Sequence, residues 1–115
     1  MALMNLTPQL KKQIVDFILV IQPNKNSLSH ELGSIFYDYP LKQQFDTEGR
    51  NFPQFVGHVV DVTLRYGRLD KSQSDDNLDN HALVVLLRGL TESLGVNRQQ
   101  RVEALVAELS RQNPQ

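Results

Sequence analysis

The chain has 115 residues, of which 40% are apolar and 22% charged, and its formal net charge is −1. This length suits one domain that buries a core without disulfides or structural metals. We therefore expect a single domain over residues 1–115, with flexible ends at 1–6 and 112–115. The absence of cysteine excludes disulfides, zinc-thiolate sites and thiol nucleophiles. The near balance of 12 basic and 13 acidic residues is not typical of a dedicated nucleic-acid binder.

Membrane insertion and secretion are not expected from the apolar pattern. The apolar run Phe17 to Ile21 is far shorter than the roughly 20 residues that cross a bilayer. The first residues lack the basic region and apolar run of a signal peptide. We expect a cytoplasmic protein with no membrane partner.

The first predicted helix opens at Thr7 and Pro8, a good N-cap followed by a residue suited to the first helical position. Its apolar residues recur at steps of three and four and then spread over almost the whole circumference until Pro23 ends the helix. A helix that is apolar all round lies inside a bundle or under an interface. The run Phe17 to Ile21 also fits a buried strand, but the polar residues before it favour a helix. The apolar positions are Leu10, Ile14, Val15, Phe17, Ile18, Leu19, Val20 and Ile21.

A second helix is predicted to start at a cap on Asn26 or Ser27 and to end before Tyr39 and Pro40. One short helical turn is expected after Pro40. The apolar stripe of the second helix consists of Leu28, Leu32, Ile35 and Phe36.

The next helix begins around Asn51 to Pro53 and ends at Gly67, which is placed where a left-handed C-cap is expected. The alternation from Val60 to Tyr66 also fits a half-buried strand. A helix is favoured because its pattern covers a longer span and both of its ends are marked. Its stripe consists of Phe52, Phe55, Val56, Val59, Val60, Thr63 and Leu64.

Residues 68–80 are polar and acidic and are predicted to form a loop, with Asp79 or Asn80 capping the following helix. That helix ends at Gly95. Asn97 and Gln100 resemble a capping box for the last helix. The two stripes are Ala82, Leu83, Leu86, Leu87, Leu90 and Leu94, and then Val102, Leu105, Val106 and Leu109.

These elements predict an all-α bundle of five helices and one short one. The core is expected to centre on the middle positions of four stripes. These are Ile14, Ile18, Val59, Leu86, Leu90 and Leu105.

No pattern for catalysis or metal binding emerges. His30, His58 and His81 lie on different segments and are interpreted as surface or edge histidines. The acidic segment lacks the central Gly and closing Glu of a calcium loop, and no serine has a nucleophile-elbow setting. We expect no enzyme activity, no catalytic residue, no cofactor and no metal.

Charge is the more informative feature. Arg65 and Arg68 lie on either side of Gly67 at the end of that helix, and an acidic run follows at once. Neighbouring patches of opposite sign favour pairing between copies. A plain solvated face that complements the helix dipole is the alternative. Phe36 and Tyr39 mark a rival apolar surface. The candidate interaction residues are Arg65, Arg68, Asp70, Asp75, Asp76 and Asp79.

Three features follow one another in the second half of the chain: the Tyr66-Gly67 helix ending, the Ala82-Leu83-x-x-Leu86-Leu87 helix and the Gly95-x-x-Arg98 link. In their order and spacing this half resembles the bacterial effector-associated, or death-like, domains. The resemblance implies a six-helix death-like bundle that pairs with like domains and connects sensor or switch proteins to effectors in bacterial conflict systems. It supplies no catalytic residue and no specific contact position.

The leading hypothesis is a protein-interaction adaptor whose partners are like domains, with weak homo-oligomers and no nucleic-acid partner. A helix-turn-helix reader is one alternative, but Glu103 and Glu108 interrupt Arg98, Arg101 and Arg111 on the last helix. A small enzyme and an unrelated helical interaction module are the others.

Overall fold

The computed structural model describes residues 6–46, 48–67, 69, 81–92 and 94–112. Within these ranges the chain forms helices and no β-strand. The elements are α1 (Pro8–Ile21), α2 (Lys25–Ile35), a 3-10 helix (Pro40–Gln44), α3 (Phe52–Tyr66), α4 (Ala82–Thr91) and α5 (Val96–Gln112). The predicted all-α bundle of five helices and one short helix is confirmed.

The start of α1 follows the predicted cap. The Thr7 hydroxyl accepts a hydrogen bond from the backbone N–H of Leu10 at 3.2 Å, and Pro8 occupies the first turn. This side chain satisfies one of the N–H groups that the first turn leaves without a helical partner.

Helix α2 begins earlier than predicted. Its N-cap is Asn24, whose side chain accepts from the Ser27 N–H at 2.8 Å, so the predicted caps at Asn26 and Ser27 are wrong. Asn24 follows directly on Pro23, and its short side chain reaches the new helix without an intervening loop. The short helical turn after Pro40 is confirmed, and it buries Leu41.

Helix α3 is closed at its start by a full capping box. The Asn51 side chain accepts from the Gln54 N–H at 2.9 Å, and the Gln54 side chain accepts from the Asn51 N–H at 3.0 Å. The residues read alternatively as a strand, Val60 to Tyr66, lie inside this helix. Gly67 ends it with φ +80° and ψ −135°, so the conformation needs glycine but is not the predicted left-handed helical one.

The junction of α4 and α5 differs from its prediction. Helix α4 ends at Thr91, so Leu94 is not part of its stripe and is 42% exposed. Helix α5 begins at Val96, directly after Gly95 at φ +94°, which places Asn97 inside the helix and removes the predicted capping box. Gln99 instead spans the junction, donating from Nε2 to the carbonyl oxygens of Thr91 and Glu92 at 3.3 and 3.0 Å.

Helix α4 is the central element of the bundle. It packs against α2, α3 and α5, while α1 and the 3-10 helix pack against α3. All ten of its residues are buried or half-buried, as expected for an interior helix. All six predicted core residues are buried, at most 4% exposed. The prediction of the core is confirmed.

Candidate interaction surfaces

The predicted charged surface is described only at Arg65. This residue is exposed on the last turn of α3, and its Nε donates to the Asp61 carbonyl oxygen at 3.4 Å. Its guanidinium suits the helix C-terminus, where the backbone carbonyls carry partial negative charge. The other predicted residues, Arg68, Asp70, Asp75, Asp76 and Asp79, lie outside the described part of the chain.

The ends of the acidic segment are held together at the bundle. The backbone N–H of Ala82 donates to the Gly67 carbonyl oxygen at 2.8 Å, and Leu69 is buried. The chain therefore leaves α3 and enters α4 at one point, two residues beyond Arg65. The interaction surface expected from Arg65 and the acidic segment stays a prediction.

The rival apolar patch does not exist as predicted. Phe36 is fully buried, with its ring centroid 5.8 Å from that of Phe45, and Tyr39 is half-buried. Tyr37 is the exposed aromatic of this region, and Lys42 Nζ lies 4.7 Å from its ring centroid.

Two of the three histidines, His81 and His58, make structural contacts. His81 is buried and not a surface residue as predicted; it is the N-cap of α4, and its Nδ1 accepts from the Leu83 N–H at 3.1 Å. The predicted cap at Asp79 or Asn80 is therefore wrong. His58 Nε2 lies 3.2 Å from the Asp46 backbone nitrogen, and His30 is exposed.

The groups with displaced pKa values are engaged locally. The backbone N–H of Glu48 and the nearby Arg50 lower the pKa of Asp46. Hydrogen bonds from Arg111 and Gln112 lower the pKa of Glu108. Among the described residues no cluster of three or more His, Asp or Glu side chains could hold a metal ion.

An open groove runs between α1 and α5, and sequence reasoning did not identify it. The half between the end of α1 and the start of α5, here called the upper half, has a volume of about 530 Å³. The half between the start of α1 and the end of α5, the lower half, has a volume of about 290 Å³. The two halves share Gln13 and Arg101. The upper half joins the end of α1 to the start of α5, so the two helices run antiparallel. The upper half is lined by Gln13, Asp16, Phe17, Val20, Asn97, Arg98 and Arg101.

This α1/α5 groove combines apolar surface with charges of both signs. Phe17 is buried beneath it, while Val20 is 66% exposed. Asp16 lies on α1, and Arg98 and Arg101 lie on α5. None of the three makes an ion pair with another described residue. The sequence signal that could have found the groove was the nearly continuous apolar circumference of α1, which already indicated an interface.

The remaining arginines of α5 and its neighbours are paired. Arg88 on α4 donates to Glu103 through Nε and a terminal nitrogen, both at 3.0 Å. Arg111 pairs with Glu108 one turn before it. Glu103 and Glu108 are thus engaged by Arg88 and Arg111, which leaves Arg98 and Arg101 as the exposed basic pair of the helix.

None of the helices in the described part of the chain has the combined length and apolar character needed to span a bilayer. No curated protein and no solved structure matches the chain. The family model for effector-associated domain 8 matches residues 8–109, from the first residue of α1 to near the end of α5. This match covers nearly the whole bundle and extends well beyond the second half, where the resemblance was seen. The chain belongs to the effector-associated domain 8 family.

Proposed function

We propose that this domain is an adaptor that pairs with like domains and so couples sensor or switch proteins to effectors in bacterial signalling or immunity. Domains of this family are generally regulatory modules without catalysis of their own. The output is proximity: pairing raises the local concentration of the proteins attached to each domain. We place this activity in the cytoplasm.

The family match over residues 8–109 is the observation that carries the proposal. The surface chemistry is compatible with it. The net charge of −1 produces little overall repulsion between copies, so local patches dominate the approach of a partner. We propose that Arg65 and Arg68 contact an acidic partner surface, and that Asp70, Asp75, Asp76 and Asp79 contact a basic one.

The test measures binding of the 115-residue chain to itself and to effector-associated domains encoded by the same genome. Both partners are immobilised at high density in turn, because exposed ion pairs contribute only about 0–1 kcal/mol each and the affinity of isolated domains is expected to be low. We expect binding to at least one like domain, and weaker binding at higher salt.

Reversal of charge identifies the surface. Arg65→Glu with Arg68→Glu should weaken binding, while the matched control Arg65→Lys with Arg68→Lys should retain most of it. Helical circular dichroism should be unchanged in both variants, since the described contact of Arg65 is one long hydrogen bond to its own helix. If no like domain binds at any density, the adaptor proposal is wrong. If binding persists unchanged in the reversed variant, another surface is responsible.

A further inference from the structure

We propose that the α1/α5 groove is the surface through which two copies of this chain associate about a two-fold axis. The inference rests on the proposed adaptor function and assigns it a specific surface, separate from the charged end of α3. The occupant of the groove is the same groove of a second copy.

The three charged residues that line the upper half of the groove have no ion-pair partner among the described residues. Other helix contacts pair their charges: Lys11 on α1 reaches Asp61 on α3 at 2.7 Å, and Arg88 on α4 reaches Glu103 on α5. Asp16, Arg98 and Arg101 remain without an ion pair among the described residues, although all three line one groove. Arg98 is also in the first turn of α5, where the helix dipole disfavours a cation.

The arrangement of the charges in the upper half of the groove is self-complementary. A two-fold axis places the same patch of both copies face to face, so a patch of one sign repels itself. Here the negative charge is on the α1 wall and the positive charges are on the α5 wall. Rotation about the axis brings Asp16 of each copy toward Arg98 and Arg101 of the other. This favours a second copy over a purely acidic peptide, which would meet Asp16 with like charge.

An exposed apolar residue lines the same half of the groove as those charges. Val20, near the end of α1, is 66% exposed. Phe17, one turn before it, also lines the groove but is buried. Two such grooves facing each other bury both valines against apolar neighbours, which is favourable in proportion to the area removed from water.

The size of the surface sets the strength of the association. Helix α1 has 14 residues and so is about 21 Å long, and two adjacent helices are about 20 Å across. The face is therefore roughly 400 Å² per copy, about half of what a stable interface buries on each partner. Self-association should be weak, and the tethering of copies should strengthen it.

The test is a charge swap followed by mixing, with self-association measured by sedimentation velocity up to about 1 mM. In the Asp16→Arg variant, the introduced arginine of each copy faces Arg98 and Arg101 of the other copy, so that three positive charges repel one another. In the variant with Arg98→Glu and Arg101→Glu, Asp16 of each copy faces the two introduced carboxylates of the other copy, so that three negative charges repel one another. Each variant should self-associate about tenfold more weakly than the original chain.

Mixing the two variants should restore the association to near its original strength, because each introduced charge then faces its opposite in the other chain. As a first control, both charge variants should keep the helical circular dichroism and the melting point of the original chain, which shows that they remain folded. Val20→Glu should weaken self-association, whereas Tyr37→Glu, at a residue that is equally exposed but outside the groove, should not.

Recovery on mixing supports the two-fold groove contact. An original chain that stays monomeric throughout, reversed variants that associate as before, or a mixture that does not recover each overturns it. The adaptor function survives those results if a like domain still binds and Arg65→Glu with Arg68→Glu weakens that binding. Loss of all like-domain binding overturns the adaptor function itself.

Discussion

Helix α5 has one face that packs against α4, the closed face, and one face that borders the α1/α5 groove, the open face. The two faces differ in how their charged side chains are paired. Toward α4 it is fixed by the paired contact between Arg88 and Glu103 and by the hydrogen bonds of Gln99 to the end of α4. Toward α1 it leaves a groove, and the charges that line the upper half of this groove are unpaired among the described residues. One face holds the helix in the bundle, and the other borders the groove that we propose as the site of self-association.

The largest expected effect is in the closed interior. Leu86 is fully buried in α4, and Leu86→Ala should lower the free energy of unfolding by about 2–5 kcal/mol, because it removes buried methyl groups and leaves a cavity. Val20→Ala in the open groove should change it by less than about 0.5 kcal/mol, since the side chain is mostly exposed. Chemical denaturation of dilute protein measures both. A large loss at Val20 in a monomer would show that the groove is already closed.

The buried core was predictable from local patterns because the apolar residues of each helix repeat at helical spacing within that segment alone. Thr7 with Pro8 and Asn51 with Gln54 satisfy the first turns of their helices from within four residues, so the sequence alone locates them. Leu94 misled the prediction because its spacing continues the stripe of α4. The helix stops at Thr91, and the backbone N–H of Leu94 donates to the Thr91 carbonyl oxygen at 3.0 Å.

The groove was not predictable in the same way. Asp16 and Arg98 are far apart in the sequence and line one groove only because α1 and α5 are antiparallel neighbours. No local spacing records that arrangement. The predicted charged surface was readable only as a sequence feature, since Arg65 is its one member within the described residues.

A second prediction tests how tightly α2 and α4 are packed. A Cβ at Gly89 would lie 2.8 Å from both Cδ1 and Cγ1 of Ile35, closer than van der Waals contact allows. Gly89→Ala should therefore destabilise the domain by about 1 kcal/mol, the crowding cost exceeding the gain in helix propensity. Gly33→Ala in α2 has no neighbour within 4 Å and should stabilise by about 0.5–1 kcal/mol.

Thermal melting distinguishes the two glycines, because about 1 kcal/mol shifts the midpoint of a domain of this size by several degrees. Ile35→Ala removes the crowding carbons, so Gly89→Ala should no longer destabilise the domain on that background. Equal stabilisation by both alanines would mean that α2 and α4 separate more easily than their contact indicates.

The smallest predicted effect compares the charges on the two faces of α5. Arg88 and Glu103 keep about 37% and 56% of their side-chain surface exposed, so solvent screens the pair and its coupling should be about 0.5 kcal/mol in spite of the paired geometry. A double-mutant cycle with Arg88→Ala and Glu103→Ala isolates this pairwise contribution from the other contacts of Arg88. The corresponding cycle with Asp16→Ala and Arg98→Ala should give no coupling in dilute protein, because the two side chains make no ion pair within the chain.

The same cycle can be measured on the free energy of self-association at high concentration. It should then give a measurable coupling that declines with added salt, since the two charges meet across the two-fold axis. A coupling between Asp16 and Arg98 that is already present in the monomer would place their contact inside one chain and remove the distinction between the closed and open faces of α5.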